Sequence, residues 1–235
     1  MEKVPRHVGL IMDGNRRFAK KLMLKPWMGH EWGAKQIHKI LEWSQEFGIK
    51  EITFYAFSVQ NFNRPEKEFD YLMDSFCKEF DNLMTEENQK KMKKDGVRIN
   101  FIGRIQMFPE EVHSRMLKLM KMTQDNSTYM VNFAMAYGGR EEVLDAVQKI
   151  AEQVKKGELD VEAINAESFA KNLYLNSNPD LIIRTGGEKR MSNFLTWQGT
   201  YAELIFLDKH WPELEKEDYL AAINEYSERD RRFGK

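Results

Sequence analysis

Six short β-rich runs alternate with longer stretches of helical periodicity, and that alternation narrows the fold more than any other feature of the chain. The runs are VGLIM (8–12), EITFYAFS (51–58), VRINFIG (97–103), YMVNFAMAY (129–137), LIIR (181–184) and AELIFL (202–207). Several are apolar nearly throughout, which suits strands covered on both faces. Between them, apolar residues recur at i, i+3, i+4 spacing. Ala34, Ile37, Ile40, Leu41 and Phe47 define one helix that stops at Gly48. Phe69, Leu72, Met73, Phe76, Phe80, Leu83 and Met84 define a longer one, which frays into the lysine-rich run 90–94 before Gly96. Others start at Pro109, near Glu141 and near Glu215, and Gly48, Gly96 and Gly157 fit helix C-terminal caps. The pattern predicts an α/β fold: one domain over 1–235, with a mainly parallel six-stranded central sheet flanked by helices.

Composition removes several function classes. Lys+Arg 36 against Asp+Glu 37 leaves a net charge of −1, with no global attraction to nucleic acid or anionic lipid. Any anion site must therefore be built locally. Cys77 is the single cysteine, which excludes an internal disulfide framework and a cysteine-rich zinc site and suits a reducing, cytoplasmic setting. MEKVPRHV has no apolar stretch of signal-peptide length, and no run reaches the length of a membrane span. The expectation is a soluble protein; peripheral contact with a membrane stays open.

In a parallel sheet, ligands sit beyond the carboxyl ends of the strands, and four of the predicted ends carry unusual chemistry. The first run ends in Asp13-Gly14-Asn15, followed by Arg16, Arg17, Lys20 and Lys21. Asp-Gly alone is a hairpin signal, but the residues after Asn15 are basic and helical in pattern. A strand–turn–helix offers free backbone N–H groups and the positive helix end to an anion. Arg17 adds a fork of donors matched to phosphate oxygens. A carboxylate there would repel the anion unless a hard cation such as Mg2+ lay between them, so Asp13 reads as a metal ligand and is otherwise a liability.

The second run ends in Ser58, then VQNFNRP with Asn61 and Arg64; the fourth ends in YGGR (137–140), and the fifth opens RTGGEKRMSN (184–193). This last stretch is either a Gly-Gly loop before a helix capped by Ser192 or Asn193, or a second phosphate cradle of Arg184, Arg190 and Ser192. A cation ending a buried run, as Arg184 does, is costly unless its charge is met. Glu203, opening the sixth run, is either a solvated charge or a second carboxylate for the metal. His30, taken alone, is a capping or packing residue. No P-loop, GxGxxG fingerprint or Asp-Asp pair occurs. A phosphate- or nucleotide-binding α/β protein is the rival reading, though it leaves a second arginine-bearing loop unexplained.

Together, HVGLIMDGNRRFAKK, Gly29-His30, YAFSVQNFNRP, YGGR, PDLIIRTGGEKRMSNFLTWQGTYAELIF and RDRRFG, in this order over residues 7–234, resemble the cis-prenyltransferases, the undecaprenyl and dehydrodolichyl diphosphate synthase family. The resemblance implies a Z-polyprenyl diphosphate synthase. Such an enzyme uses Mg2+ and condenses isopentenyl diphosphate, unit by unit in the cis sense, onto an allylic primer, farnesyl or geranylgeranyl diphosphate. The implied product is a medium- or long-chain, undecaprenyl-like diphosphate, a lipid-carrier precursor. A short-chain synthase is the alternative within the family. A non-catalytic partner subunit fits poorly, because the N-terminal motifs are kept.

By the same resemblance Asp13 is the Mg2+ ligand, with Glu203 the second carboxylate near the metal. His30, Ser58 and Asn61 join Asp13 as catalytic residues, Asn61 assisting proton removal. Gly14, Asn15, Arg16, Arg17, Phe18, Lys25, Gly29, Val59, Gln60, Phe62 and Arg64 fall in segments that hold substrate. Arg184, Arg190, Met191 and Ser192 fall in the isopentenyl diphosphate site. The tail Arg232-Phe233-Gly234 corresponds to the RxG that the family reaches across a homodimer interface. Phe18 and Phe62 stand where bacterial members often carry Trp, Gln60 where Glu is common, and Pro26 where a phosphate-binding Arg is common, with Lys25 its neighbouring substitute. These departures imply a shifted substrate preference. The growing tail needs an apolar tunnel, for which Phe69, Met73, Phe76, Phe80, Met84, Phe133 and Met135 are the candidate walls.

Overall fold

The computed structural model describes residues 3–229. Its strands are β1 (His7–Ile11), β2 (Glu51–Ser58), β3 (Val97–Ile102), β4 (Tyr129–Tyr137), β5 (Leu181–Arg184) and β6 (Glu203–Phe206). They form one sheet in the order β3-β4-β2-β1-β5-β6, and every pairing is parallel. The helices are α1 (Asn15–Lys21), α2 (Gly29–Phe47), α3 (Glu66–Leu83), α4 (Glu86–Asp95), α5 (Glu110–Thr123), α6 (Gly139–Lys155), α7 (Ala166–Ala170) and α8 (Lys216–Glu228). Among the described residues, no helix is long and apolar enough to cross a membrane.

One expectation and one alternative reading are corrected. The long second helix does not fray into the lysine run; it stops at Leu83, and α4 starts afresh after Thr85. The Asn82 carbonyl explains the break, since it accepts from the Thr85 N–H, the Thr85 hydroxyl and the Asn88 amide. Of the two readings of residues 184–193, the helix capped at Ser192 or Asn193 does not form. Ser192, Asn193 and Leu195 all have positive φ, a backbone that cannot continue a right-handed helix. Asn193 is held in that bend by accepting from the Arg140 N–H (2.9 Å) and donating to Glu141 (2.9 Å).

Alternation along each strand sorts the core into two faces. Val8, Leu10, Ile52, Phe54, Leu181 and Ile183 pack with Ile40 of α2 and with Tyr219, Ile223 and Tyr226 of α8. On the opposite face, Ile11, Ile182 and Ala134 pack with Tyr137, Leu175, Phe194 and Leu195. A further cluster joins α3 and α5 to β3 and β4 through Leu72, Phe80, Val112, Met116, Phe101 and Met135. The first and third of these share Val97 and Phe133 at their border. The border is incompletely filled, and a slot of about 210 Å³ lies there.

Phe54 is fully buried, stacked on Phe133 at 5.5 Å and edge-on to Trp211 at 6.3 Å. Phe54→Ala is expected to lower unfolding free energy in urea by about 3–5 kcal/mol, the usual cost of a Phe-sized cavity. A loss below about 1 kcal/mol would show that this part of the core collapses around the gap.

Candidate active site

The strand order reverses direction at β1: β2 follows on one side, β5 and β6 on the other. Crevices at such switch points open beyond the carboxyl ends of the strands. In this one Ile11 lies in register with Arg184, so the turn after β1 and the loop after β5 emerge side by side. Arg184 is 4% exposed, and its fork reaches three acceptors. Nη2 donates to Asp13 Oδ2 at 2.9 Å, while Nη1 donates to Ser192 Oγ at 2.7 Å and to the Arg190 carbonyl at 2.5 Å. Arg17 closes the other side, with Nη2 3.0 Å from Asp13 Oδ1 and Nη1 donating to the Gly186 carbonyl at 2.6 Å.

Glycine permits this interlock at two positions. Gly14 has φ +107°, and a Cβ there would come within 2.7 Å of the His210 side chain. Gly186 has φ +87°, and a Cβ there would sit 2.6 Å from Arg17 Nη2. The turn is further pinned through the Asp13 carbonyl, which accepts from the Thr185 hydroxyl (2.8 Å) and the Trp211 N–H (2.9 Å). Burial opposes the Asp13 charge, but hydrogen bonds from Arg184 and Arg17 outweigh it and hold the carboxyl below its usual range. Asp13 is thus no liability without a metal: two arginines from two loops meet its charge. The buried Arg184 has its charge met by the same contact.

Next to this cluster lies a cavity of about 180 Å³, lined by Met12, Asn15, His30, Asn61, Arg64 and Trp211 among others. It shares Ala34, Ile37, Ala56, Phe76 and Glu79 with the apolar slot. Buried polar atoms in folded proteins nearly always have a partner. Among the described residues six buried side-chain atoms lack one, and four of them belong to this site: Asn15 Oδ1, His30 Nε2, Arg64 Nε and Arg184 Nε. Three donors or donor-capable nitrogens and one amide oxygen are thus held ready for a polar ligand.

Several expected residues are placed differently. Asn61 Oδ1 accepts from the Ser58 N–H at 2.9 Å, which leaves the Asn61 amide nitrogen, a donor and not a base, as its free group. The β2–β4 register shifts at Tyr55–Phe57 and Phe57–Ser58, a bulge that sets this turn at the cavity. Arg64 is paired with the buried Glu68, which also lies 3.7 Å from Arg16. Gly29 is a close-approach position, since a Cβ would meet the Asn15 carbonyl at 2.1 Å. Phe62 is a packing ring against Phe57 (5.1 Å) and Phe69 (5.8 Å), and Phe18 packs edge-on to Trp32 at 5.8 Å. Lys25 Nζ lies over the Trp27 ring at 5.6 Å, Gln60 is exposed beside half-buried Val59, and Met191 packs on the Ile182 side of the sheet. The Arg190 side chain turns to Glu188, so only its carbonyl joins the cluster.

Glu203 is a correction. It opens β6 in register with Leu181, and Leu181 pairs with Val8, so it lies at the amino edge of the sheet. There it takes Arg229 Nη1 at 2.7 Å. Within one chain it cannot share an ion with Asp13 at the carboxyl edge. Arg232, Phe233 and Gly234 lie outside the described residues. Of the proposed tunnel walls, Phe76, Phe80, Phe133 and Met135 line the slot, whereas Phe69, Met73 and Met84 do not. Sequence reasoning missed Glu68, His210 and Trp211. Glu68 was signalled by its i, i+4 spacing from Arg64; the other two come from a loop that carried no motif.

Comparisons with known proteins identify the family. The model of the prenyltransferase family described as undecaprenyl diphosphate synthase matches residues 11–234. The chain is 45% identical to the tritrans,polycis-undecaprenyl-diphosphate synthase (geranylgeranyl-diphosphate specific) of Methanopyrus kandleri, over 99% of this chain and 86% of that one. The enzyme of the same name from Methanocaldococcus jannaschii is 44% identical over 100% of this chain and 84% of its own. Among solved structures, lavandulyl diphosphate synthase from Lavandula x intermedia, in complex with dimethylallyl diphosphate, superposes with a TM-score of 0.91 at 32% identity, covering 100% of both chains. A probable undecaprenyl diphosphate synthase from Campylobacter jejuni gives 0.81 at 30% identity, again covering 100% of both.

Burial, with Arg64 and Arg16 close by, lowers the His30 pKa from 6.5 to about 4. Between those values the unfolded chain takes up a proton that the folded chain refuses. The stabilisation is therefore complete above pH 6.5 and is lost as pH falls toward 4. Urea unfolding of the natural protein and His30→Gln should show a stability difference that shrinks by about 3 kcal/mol from neutral pH to the acid end of that window. A difference independent of pH would contradict the burial of a neutral imidazole.

Proposed function

Because this chain belongs to the undecaprenyl diphosphate synthase family of cis-prenyltransferases, we propose that it elongates geranylgeranyl diphosphate with isopentenyl diphosphate to an undecaprenyl-like polyprenyl diphosphate. One observation carries the reading. Three unpartnered buried nitrogens, on His30, Arg64 and Arg184, lie in and beside a carboxylate–arginine cluster next to an apolar slot. Such a site suits a ligand with an anionic head and a hydrocarbon tail.

In the proposed reaction the bond between the allylic carbon and its diphosphate oxygen breaks, and the electron pair leaves with pyrophosphate. The double bond of isopentenyl diphosphate attacks that carbon, and the proton lost from its C2 passes to an oxygen of the departing pyrophosphate, leaving a new Z double bond. Arg64 and His30 face the head of the allylic substrate, and Arg184 with Ser192 the isopentenyl diphosphate, while the Asn15 amide donates to the Met12 carbonyl and holds the turn. Asn61 presents its amide nitrogen as a donor, which can hold the pyrophosphate oxygen that takes the proton. The Arg17 side chain is 42% exposed whereas Arg184 is buried, so Arg17 is the partner that can swing from Asp13 to a phosphate. That swing opens one lone-pair position on Asp13 Oδ1, which still accepts from the Gly14 N–H at 2.6 Å. One carboxylate plus substrate phosphates and waters is a common donor set for Mg2+, so the residues fit the ion. When bound, it would neutralise charge developing on the leaving diphosphate. We extend the family's homodimer to this chain as part of the same proposal.

The slot bears on chain length. Burial gains about 0.8 kcal/mol per CH₂, up to roughly 4 kcal/mol for each five-carbon unit, so a long apolar lining favours continued elongation. The short-chain reading draws on the likeness to lavandulyl diphosphate synthase. The slot and the geranylgeranyl-specific relatives favour the longer product.

Incubation with labelled isopentenyl diphosphate, Mg2+ and dimethylallyl, geranyl, farnesyl or geranylgeranyl diphosphate tests the proposal. Geranylgeranyl diphosphate is expected to prime best and to give polyprenyl products; a single condensation on the shortest primer would favour the alternative. Asp13→Asn should cut kcat/KM by roughly 10²–10³ or more while the circular dichroism stays native, because Arg184 keeps its Ser192 and Arg190 acceptors. Near-natural turnover in that variant would discard the role given to Asp13.

A further inference from the structure

The chain as a whole carries a net charge of −1, yet residues 16–35 hold six cations against one carboxylate, Glu31. Arg16 and Arg17 turn to the site, Lys21 pairs with Glu213, and Glu31 accepts from the Tyr71 hydroxyl. The other three lysines, at 20, 25 and 35, are exposed and meet no carboxylate among the described residues. Lys25 Nζ lies over the Trp27 ring at 5.6 Å and Lys35 Nζ over the Trp32 ring at 5.5 Å. Large apolar side chains stand among these lysines: Leu22 is 42%, Trp32 47% and Met23 94% exposed. Leu22 follows Phe18 by one helical turn, and Phe18 is edge-on to Trp32 at 5.8 Å, so they form one strip. Met23 extends it at the tip of the turn after α1, with φ +56°, where glycine would fit with less strain.

We propose that this face docks on an anionic phospholipid bilayer, with Leu22, Met23 and Trp32 entering the interface and the free lysines on the head groups. Stable attachment of a protein to a bilayer surface takes two signals, buried apolar side chains and basic residues facing anionic lipid, and both occur here. Each lysine near such a surface raises binding about fivefold. Tryptophan suits the boundary, where its ring is buried and its N–H stays wet. A lysine stem can lie along an indole while its ammonium reaches outward. Other occupants fit less well. Protein interfaces are depleted in lysine, and a tip that projects Met23 offers a partner no groove. Single-stranded nucleic acid stacks on rings, whereas the most exposed apolar side chain here is a methionine.

The experiment is flotation of the natural protein with vesicles of phosphatidylcholine alone or mixed with phosphatidylglycerol, at low and high salt. Binding is expected on the mixed vesicles, much weaker binding on phosphatidylcholine, and release as salt rises. Met23→Ser/Trp32→Ser should lower binding by about tenfold or more, and Lys20→Glu/Lys35→Glu should do so on the mixed vesicles only. All four positions are exposed, so circular dichroism should stay native. Leu144→Ser, which removes an exposed leucine from α6, should bind as the natural protein does. No binding to mixed vesicles overturns the proposal, as does full binding by both double variants or an equal loss in Leu144→Ser. Self-association of the natural protein that is lost in Met23→Ser/Trp32→Ser, without vesicle binding, would show that a second copy covers the face and would overturn it too. Flotation needs no turnover, so failure here leaves the synthase reading standing, and failure of that reading leaves lipid docking standing.

Discussion

The contact between Asp13 and Arg184 joins two strands that are neighbours in space and 171 residues apart in the chain. Each group would be costly alone: a carboxylate pressed into a crevice of arginines, and a guanidinium at the end of a buried strand. Together they neutralise one another and bring the turn after β1 against the loop after β5. Arg17 and the carbonyl of Gly186 complete the closure from the other side. The position of this lock determines the rest of the site. It lies at the switch point of a parallel sheet, where backbone from both halves ends at one edge.

The lock also explains why the site holds unmet polar atoms without collapsing. Asn15, His30 and Arg64 are fixed by elements that have their own reasons to be rigid. Asn15 sits on the turn that Asp13 anchors, His30 begins α2 where glycine lets α1 approach, and Arg64 is tied to buried Glu68. Behind them the apolar face of the sheet carries two clusters, one under α2 and α8, the other under α3 and α5. They meet at Val97 and Phe133 without filling the space between. A face that could have closed into continuous core instead leaves a slot reached from the polar mouth. On the proposed reading that unfilled border holds the prenyl chain.

Much of this was legible in the residues. The runs at 51–58, 129–137 and 181–184 became strands with the expected bounds, because buried parallel strands write themselves as unbroken apolar or β-branched sequence. Asp13, Asn15, Arg17 and Arg184 were legible as strand-end chemistry once the sheet was taken as parallel. What could not be read were facts of register and backbone. Glu203 sits at a strand start, and only the pairing with Leu181 and Val8 reveals that this start faces away from Asp13. The left-handed bend at Ser192 and Asn193 looks, as sequence, like a helix cap. The acceptor role of Asn61 comes from a capping box with Ser58, three residues before it, whose backbone N–H it takes. His210 and Trp211 entered the site through long-range packing, and their neighbours in the chain carry no sign of it.

On the proposed reading one electrostatic claim is central: arginine meets the Asp13 charge until a diphosphate draws Arg17 away, and that exchange lets Asp13 hold a divalent ion. Calorimetric titration of Mg2+ into the protein, alone and with inorganic pyrophosphate, with pyrophosphate-only controls, tests that claim without any turnover. Weak or absent Mg2+ binding to the free protein and clear binding with pyrophosphate present, abolished in Asp13→Asn, is the expected result. Equally tight Mg2+ binding with and without pyrophosphate, or binding that survives the loss of Asp13, would contradict it.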